Sequence, residues 1–210
     1  MKLLVIGATR GIGALVMKQA LESGHAVVAL VRDPSSVSMQ HEKLSVERGD
    51  VLDRVSVRKA AIGTDAIVCA LGLSLAASRK PTVLYSRGTE NILDVMHEKG
   101  MKRLIAVTGI GAGDSRGHGG FFYDRIFQPL FLNEGYKDKT RQEELIRATK
   151  LDWVIVRPGM LTDGPETGVY RVITGGEYVA GKISRSDVAR FILQQLEQET
   201  YLRKAVVLSY

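Results

Sequence analysis

The chain has 210 residues and 45% hydrophobic content, which suits one globular domain with a full core. Its 29 Lys+Arg exceed its 23 Asp+Glu by six, and 25% charged residues is an ordinary share that excludes wholesale disorder. The basic residues are scattered and aromatics make up only 6%, so we expect a small polyanion as the ligand and no nucleic acid. The single Cys69 excludes an intrachain disulfide and a Cys-rich metal site. We therefore expect no bound metal, a reducing compartment such as the cytoplasm, and no membrane span.

Short apolar runs alternate with amphipathic stretches along the whole chain. The runs predict strands over 3–6, 26–31, 44–47, 66–70, 104–107 and 154–156. The amphipathic stretches predict helices over 12–23, 53–61, 82–99, 137–149 and 185–197, with Gly24 and Gly100 ending two of them and Ser186-Asp187 capping the last. This alternation predicts an α/β fold, a Rossmann-like doubly wound parallel sheet in a three-layer αβα arrangement, as a single domain over 1–210.

Two segments fit this pattern less well. Residues 109–136 hold a cluster of glycines followed by aromatic residues, and residues 159–183 are rich in turns. Each follows the carboxyl end of a predicted strand, where open α/β sheets bind their ligands. They are candidate pocket or lid segments, and irregular surface connections are an equally good interpretation.

A glycine-rich turn follows the first predicted strand. Residues 7–13 read Gly-Ala-Thr-Arg-Gly-Ile-Gly and lead into a predicted helix. Glycines allow a tight turn, close approach of the backbone to a phosphate, and packing of helix on sheet, while the helix N-terminus favours an anion. The turn predicts a dinucleotide pyrophosphate site, with a purely structural turn as the alternative. Its candidate binding residues are Gly7, Thr9, Arg10, Gly11, Ile12 and Gly13.

The second strand ends in residues that bear on the choice of dinucleotide. Arg32 is followed directly by Asp33, so a 2′-phosphate partner and a 2′-hydroxyl partner are both present. Arg32 is closer to the strand, and Arg10 lies in the neighbouring turn, so we predict NADP (NADPH) with NAD less favoured. Ser35 and Ser36 could add donors. The alternative is that Arg32 is a surface charge paired with Asp33.

Further candidates follow the third and fourth strands. Asp50 could accept the adenine amino hydrogens, with Val51 beside it, or it could cap the helix that begins near Asp53. Residues Ala70, Leu71 and Gly72 are expected to run beside the cofactor ribose.

These motifs give the chain a family resemblance. It resembles an atypical short-chain dehydrogenase/reductase of the NAD(P)H-binding, NmrA-like type, similar to the flavin reductase/biliverdin-IXβ reductase group, through residues 7–13, 31–33, 49–51, 108–109, 151–159 and 183–189. The resemblance implies NADPH lying across the strand tips. It implies that Pro158, Gly159 and Met160 lie near the nicotinamide and that Lys139 approaches the nicotinamide ribose. Thr108 and Lys139 are the candidate catalytic residues, acting mainly through cofactor position. An i,i+4 ion pair of Lys139 with Glu143 is the open alternative.

The chain also departs from these relatives. Glycine stands at 109 and methionine at 160, where they carry a serine and a histidine. The four histidines (25, 41, 97 and 118) do not predict a pocket lining, so biliverdin is a poor substrate candidate. After the fifth strand no Tyr-x-x-x-Lys is found, and we interpret the match at Tyr178 and Lys182 as chance.

These features favour one function and leave another open. Without a tyrosine acid, reduction of an isolated carbonyl is harder, whereas a conjugated acceptor takes its proton from water. We predict an NADPH-dependent oxidoreductase that transfers hydride to a small molecule of flavin or quinone type. The alternative is an NADP-binding redox sensor without turnover, which would act on a protein partner. A sugar-nucleotide epimerase is less well supported, because such chains carry the Tyr-x-x-x-Lys.

Overall fold

A computed structural model describes residues 1–210. Ten strands and six α-helices alternate along most of the chain. The strands are β1 Lys2–Ile6, β2 Ala26–Val31, β3 Leu44–Arg48, β4 Ala66–Cys69, β5 Arg103–Val107, β6 Asp152–Pro158, β7 Met160–Thr162, β8 Arg171–Ile173, β9 Lys182–Ser184 and β10 Lys204–Ser209. The helices are α1 Gly11–Glu22, α2 Arg54–Ala60, α3 Leu75–Ser78, α4 Leu84–Lys99, α5 Asn133–Arg147 and α6 Arg185–Glu197. None of these helices has the length and apolar character that crossing a bilayer requires.

Eight strands form one sheet in the order β3-β2-β1-β4-β5-β6-β10-β8, and all pair in parallel except β8, which runs antiparallel to β10. This confirms the predicted Rossmann-like sheet. Side chains alternate between its faces: Leu3 and Val5 pack toward α1 and α6, whereas Leu4 and Ile6 pack toward α2, α4 and α5. Because both faces are covered, the central strands are apolar at nearly every position.

The observed elements differ from the predicted ones in several places, and the short helix α3 and the strand β10 were not predicted at all. The segment 109–136 is partly helical, with a 3₁₀ turn at Gly113–Ser115 and a π-helix at Tyr123–Leu132 that runs directly into α5. Helix α5 therefore begins four residues earlier than expected. The segment 159–183 contains three short strands, of which β7 pairs with β9 in a separate two-stranded sheet. Helix α6 is capped by Ser184, whose hydroxyl accepts the amide of Asp187 at 3.0 Å, and not by Ser186.

Candidate cofactor site

The parallel sheet brings the predicted site residues to one edge. They follow six strands that lie side by side, β3, β2, β1, β4, β5 and β6, each at its carboxyl end. Residues 7–13 follow β1, Arg32 follows β2, and Asp50 and Val51 follow β3. Residues 70–72 follow β4, Thr108 follows β5, Pro158 ends β6, and Gly159 and Met160 come directly after it. Lys139 reaches this edge from α5, where its ammonium donates to the Thr108 carbonyl. This is the edge at which doubly wound sheets bind ligands.

The glycine turn is shaped by close backbone contacts. Gly7 adopts φ +89°, and a Cβ on it would lie 2.4 Å from the Ala70 carbonyl oxygen. A Cβ on Gly13 would lie 2.2 Å from the Gly7 carbonyl oxygen, so α1 packs directly on the turn. Gly11 differs, because a Cβ there would meet no atom closer than 3.9 Å. Two glycines are thus required by packing, while Gly11 borders open space.

The N-terminus of α1 fits a phosphate group. Arg10 occupies the N-cap position and gives no side-chain cap. The amides of Gly11, Ile12 and Gly13 have no acceptor within the protein. Free amides at a helix N-terminus, together with the helix dipole, bind anions. Thr9 and Arg10 are both exposed beside them.

The second strand presents a free arginine and an engaged aspartate. Arg32 is exposed and forms no ion pair, so the alternative of an Arg32–Asp33 pair is wrong. One carboxylate oxygen of Asp33 accepts the amide and hydroxyl of Ser35, at 3.0 and 2.8 Å, and these bonds hold the pKa of Asp33 below its usual value. The hydroxyls of Ser35 and Ser36 both donate to Asp33, so they are not free donors in this structure.

The residues after β3 and β4 line the same edge. Asp53, and not Asp50, caps α2 by accepting the amides of Val55 and Ser56, both at 3.1 Å. Asp50 is left half-buried with one oxygen accepting the Leu52 amide at 3.0 Å. Val51 is buried, and its carbonyl accepts Asn91 of α4 at 2.9 Å. Ala70 and Leu71 are half-buried and Gly72 is exposed.

A buried charged network lies behind Thr108. The Thr108 hydroxyl is buried and donates to Glu143 at 2.7 Å. Arg157 donates to both oxygens of the same carboxylate and also to Asp114, and the side chains of Arg157 and Glu143 are only 4% and 2% exposed. Burial opposes the charge of Arg157, yet its bonds to Glu143 and Asp114 keep its pKa above the usual value. The hydroxyl of Thr108 is therefore part of this structural network, whereas its backbone lies at the sheet edge where the predicted cofactor residues meet.

Lys139 does not form the i,i+4 ion pair with Glu143 that was the alternative to a cofactor contact. Its ammonium donates to the Thr108 carbonyl and forms no ion pair with Glu143, whose oxygens serve Thr108 and Arg157. It lies over the rings of Tyr136 and Tyr85, at 4.9 and 5.2 Å from their centroids. Burial lowers the pKa of Lys139 to about 8.

Sequence reasoning missed a pair of tyrosines beside Lys139. The hydroxyls of Tyr136 and Tyr123 lie 3.1 Å apart, and Tyr123 also donates to the Ile110 carbonyl at 3.0 Å. Tyr136 stands three residues before Lys139 instead of four, so a search for Tyr-x-x-x-Lys passes over it. Burial raises the pKa of Tyr136 well above its usual value. The phenol is consequently a hydrogen-bond donor and a weak acid.

The two segments after β5 and β6 meet around a cavity of about 190 Å³. The first contributes Asp114 and His118, and the second contributes residues 173–176 and Tyr178. The expectation that no histidine lines a pocket is wrong: His118 lines this one and stacks on Tyr178 at 4.2 Å between ring centroids. Tyr178 is thus engaged with His118, while Lys182 is exposed on β9.

Comparisons with known proteins agree with this geometry. A family described as NAD(P)H-binding matches residues 7–199. An uncharacterized chloroplastic protein of Arabidopsis thaliana is 30% identical over 98% of this chain and 75% of its own length. An uncharacterized sugar epimerase of Bacillus subtilis is 26% identical over 98% of this chain and 92% of its own. Among solved structures, the anaerobillin reductase of Escherichia coli O157:H7 has a TM-score of 0.83 and 25% identity, covering 100% of this chain and 97% of its own. With almost the whole chain matched, this protein belongs to the NAD(P)H-binding family, among the oxidoreductases of atypical short-chain dehydrogenase/reductase type.

Proposed function

We propose that this oxidoreductase transfers hydride from NADPH to a flat, conjugated small molecule of flavin or quinone type. The observation that carries the choice of NADPH is the free guanidinium of Arg32 at the tip of β2, the strand beside β1, whose glycine turn contains the exposed Arg10. Asp33, the carboxylate that would bind a ribose hydroxyl, has its Oδ1 atom occupied by two hydrogen bonds from Ser35, and only its Oδ2 atom is free. Two unpaired guanidiniums form charge-assisted hydrogen bonds with a phosphate but offer no acceptor to a hydroxyl.

The proposed acceptor class follows from the weak acidity of the site. Bound NADPH supplies a hydride to the acceptor, and a proton must join the reduced product. Tyr136 lies beside Lys139, yet burial raises the pKa of its phenol, and the ammonium of Lys139 lies over its ring. A conjugated acceptor delocalises the added charge and takes its proton from water, so it does not need a side-chain acid. The segments beyond β5 and β6 also expose Phe121, Phe122 and Met160, apolar surfaces suited to a flat ring.

Titration of NADPH and NADH into the Arg32→Ala variant tests the cofactor preference. Loss of a charge-assisted contact costs about 1.5–3 kcal/mol, so we expect roughly 10- to 150-fold weaker NADPH binding and unchanged NADH binding. Arg141→Ala, which removes an exposed arginine of α5, is the matched control. Equal affinity of the wild type for both dinucleotides would contradict the preference.

Decay of NADPH absorbance on addition of free flavins and quinones tests the acceptor class. We expect turnover with at least one of these acceptors. Tight NADPH binding without oxidation by any flavin or quinone would refute the proposed acceptor and favour the redox-sensor alternative.

A further inference from the structure

We propose that Arg185 binds the cofactor pyrophosphate at the glycine turn. Arg185 is the first residue of α6, and α6 packs along α1. Its side chain lies over the turn: a Cβ on Gly11 would have Arg185 Nε at 3.9 Å and Cδ at 4.0 Å as its nearest neighbours. Apart from the residues adjacent to Gly11 in the chain, no other residue comes within 4 Å of this Cβ position. Arg185 therefore borders the open space in front of the free α1 amides.

The present partner of Arg185 is weak. Its Nη1 atom pairs with Asp163 at 2.6 Å, and its Nε and Nη2 atoms have no acceptor in the protein. The Asp163 side chain is 89% exposed, and ion pairs of that kind contribute about 0–1 kcal/mol. A phosphate that also accepts the α1 amides competes for the guanidinium with greater charge and fixed geometry. Asp163 thus holds Arg185 in place without blocking its use.

Arg185 also connects two parts of the site. Asp163 belongs to the segment 159–183, which leaves β6 beside the expected nicotinamide position, whereas Gly11 belongs to the phosphate turn. A guanidinium that contacts the pyrophosphate and Asp163 together would hold this segment over the bound dinucleotide. This role depends on the family's NAD(P)H binding and not on the proposed preference for NADPH, since both dinucleotides share the pyrophosphate.

Fluorescence titrations of the Arg185→Met variant with NADPH and NADH test the proposal. We expect both affinities to fall by about 10- to 100-fold, with the ratio between them unchanged. ADP-ribose, which contains the pyrophosphate but no nicotinamide, should lose affinity by the same factor. Arg190→Met, which removes an exposed arginine of the same helix that pairs with Glu166, should leave all three affinities unchanged.

Several outcomes would overturn the assignment. Wild-type affinity of Arg185→Met for both dinucleotides excludes the contact. If only NADPH binding is lost, Arg185 contacts the 2′-phosphate and not the pyrophosphate. If ADP-ribose binding is unchanged, Arg185 contacts the nicotinamide half of the cofactor. If Arg185→Met does not fold, Arg185→Gln serves instead, because it keeps a polar side chain without the charge; wild-type affinity of a folded Arg185→Gln protein for both dinucleotides would contradict the proposal. If the wild type shows no preference for NADPH, the proposed function is wrong on that point, but Arg185→Met should still lose affinity for both dinucleotides by the same factor.

Discussion

The glycine turn allows two neighbouring alanine substitutions to separate folding from cofactor binding. A Cβ on Gly13 would lie 2.2 Å from the Gly7 carbonyl oxygen, a backbone atom, so α1 would have to move by about 1 Å. Overpacking of this kind costs about 1–3 kcal/mol. Gly11 has φ +59° and no atom closer than 3.9 Å to its Cβ position, so Gly11→Ala meets only the left-handed backbone cost of about 1–2 kcal/mol.

Both variants should therefore fold with a lowered Tm, and they should differ in cofactor binding. For a domain of this size, each 1 kcal/mol lowers Tm by about 2–4 °C, so we expect a loss of about 2–8 °C for Gly11→Ala and about 2–12 °C for Gly13→Ala. The methyl group of Gly11→Ala would stand where the phosphate approaches the α1 amides. We expect this variant to lose at least tenfold in NADPH affinity, about 1.4 kcal/mol, while it stays folded.

Thermal melts and NADPH titrations of the same preparations check this reasoning. Gly63→Ala is a suitable control, because Gly63 also has a positive φ, +67°, and open space around it but lies at the opposite end of β4. Wild-type NADPH affinity in a folded Gly11→Ala protein would refute the idea that the phosphate passes over Gly11. Wild-type stability of Gly13→Ala would refute the packing argument.

Two further predictions concern the residues around Lys139. Burial lowers the pKa of Lys139 to about 8, so its ammonium is lost on going from pH 7 to pH 9, and NADPH affinity should fall about tenfold over that range if the charged form holds the cofactor. Lys139→Arg stays protonated and should show no such fall, whereas a flat wild-type profile would contradict the contact. Tyr136→Phe and Tyr178→Phe should each change flavin or quinone turnover by only a few-fold, since no side chain is an obligatory acid. A hundredfold loss in either variant with unchanged NADPH affinity would indicate an acid-assisted carbonyl reductase.

Most of the sheet and the phosphate-binding turn could be predicted from the sequence, because each depends on a local pattern of residues. Each central strand is a continuous apolar run, and residues 7–13 form one uninterrupted motif. Strand β10 was missed although residues 205–208 read Ala-Val-Val-Leu, a signal as clear as that of the other buried strands. Strands β7, β8 and β9 have three residues each, and pairing across a turn-rich segment leaves no periodic pattern.

Contacts between distant parts of the chain could not be predicted in the same way. Arg185 approaches Gly11 only because α6 packs on α1. Glu143 is shared by Thr108 and Arg157 because α5 covers β5 and β6. Helical spacing makes Glu143 a natural partner for Lys139, and the tertiary fold offers it a buried guanidinium instead.

This chain has Gly109 where the reductases that it resembles have a serine, and Tyr136 of α5 places its hydroxyl at the same point. Gly109 has φ +149°, and a Cβ there would lie 2.5 Å from the Tyr136 hydroxyl oxygen. A serine, as in the reductases that the chain resembles, fits neither this backbone nor this space. The hydroxyl group is therefore still present at the tip of β5, but the helix supplies it. Because Lys139 lies against the ring of Tyr136 and donates to Thr108, its charge does not bring the phenol toward ionisation. The site keeps a hydrogen-bond donor at this point and loses a strong proton donor, which suits an acceptor that takes its proton from water.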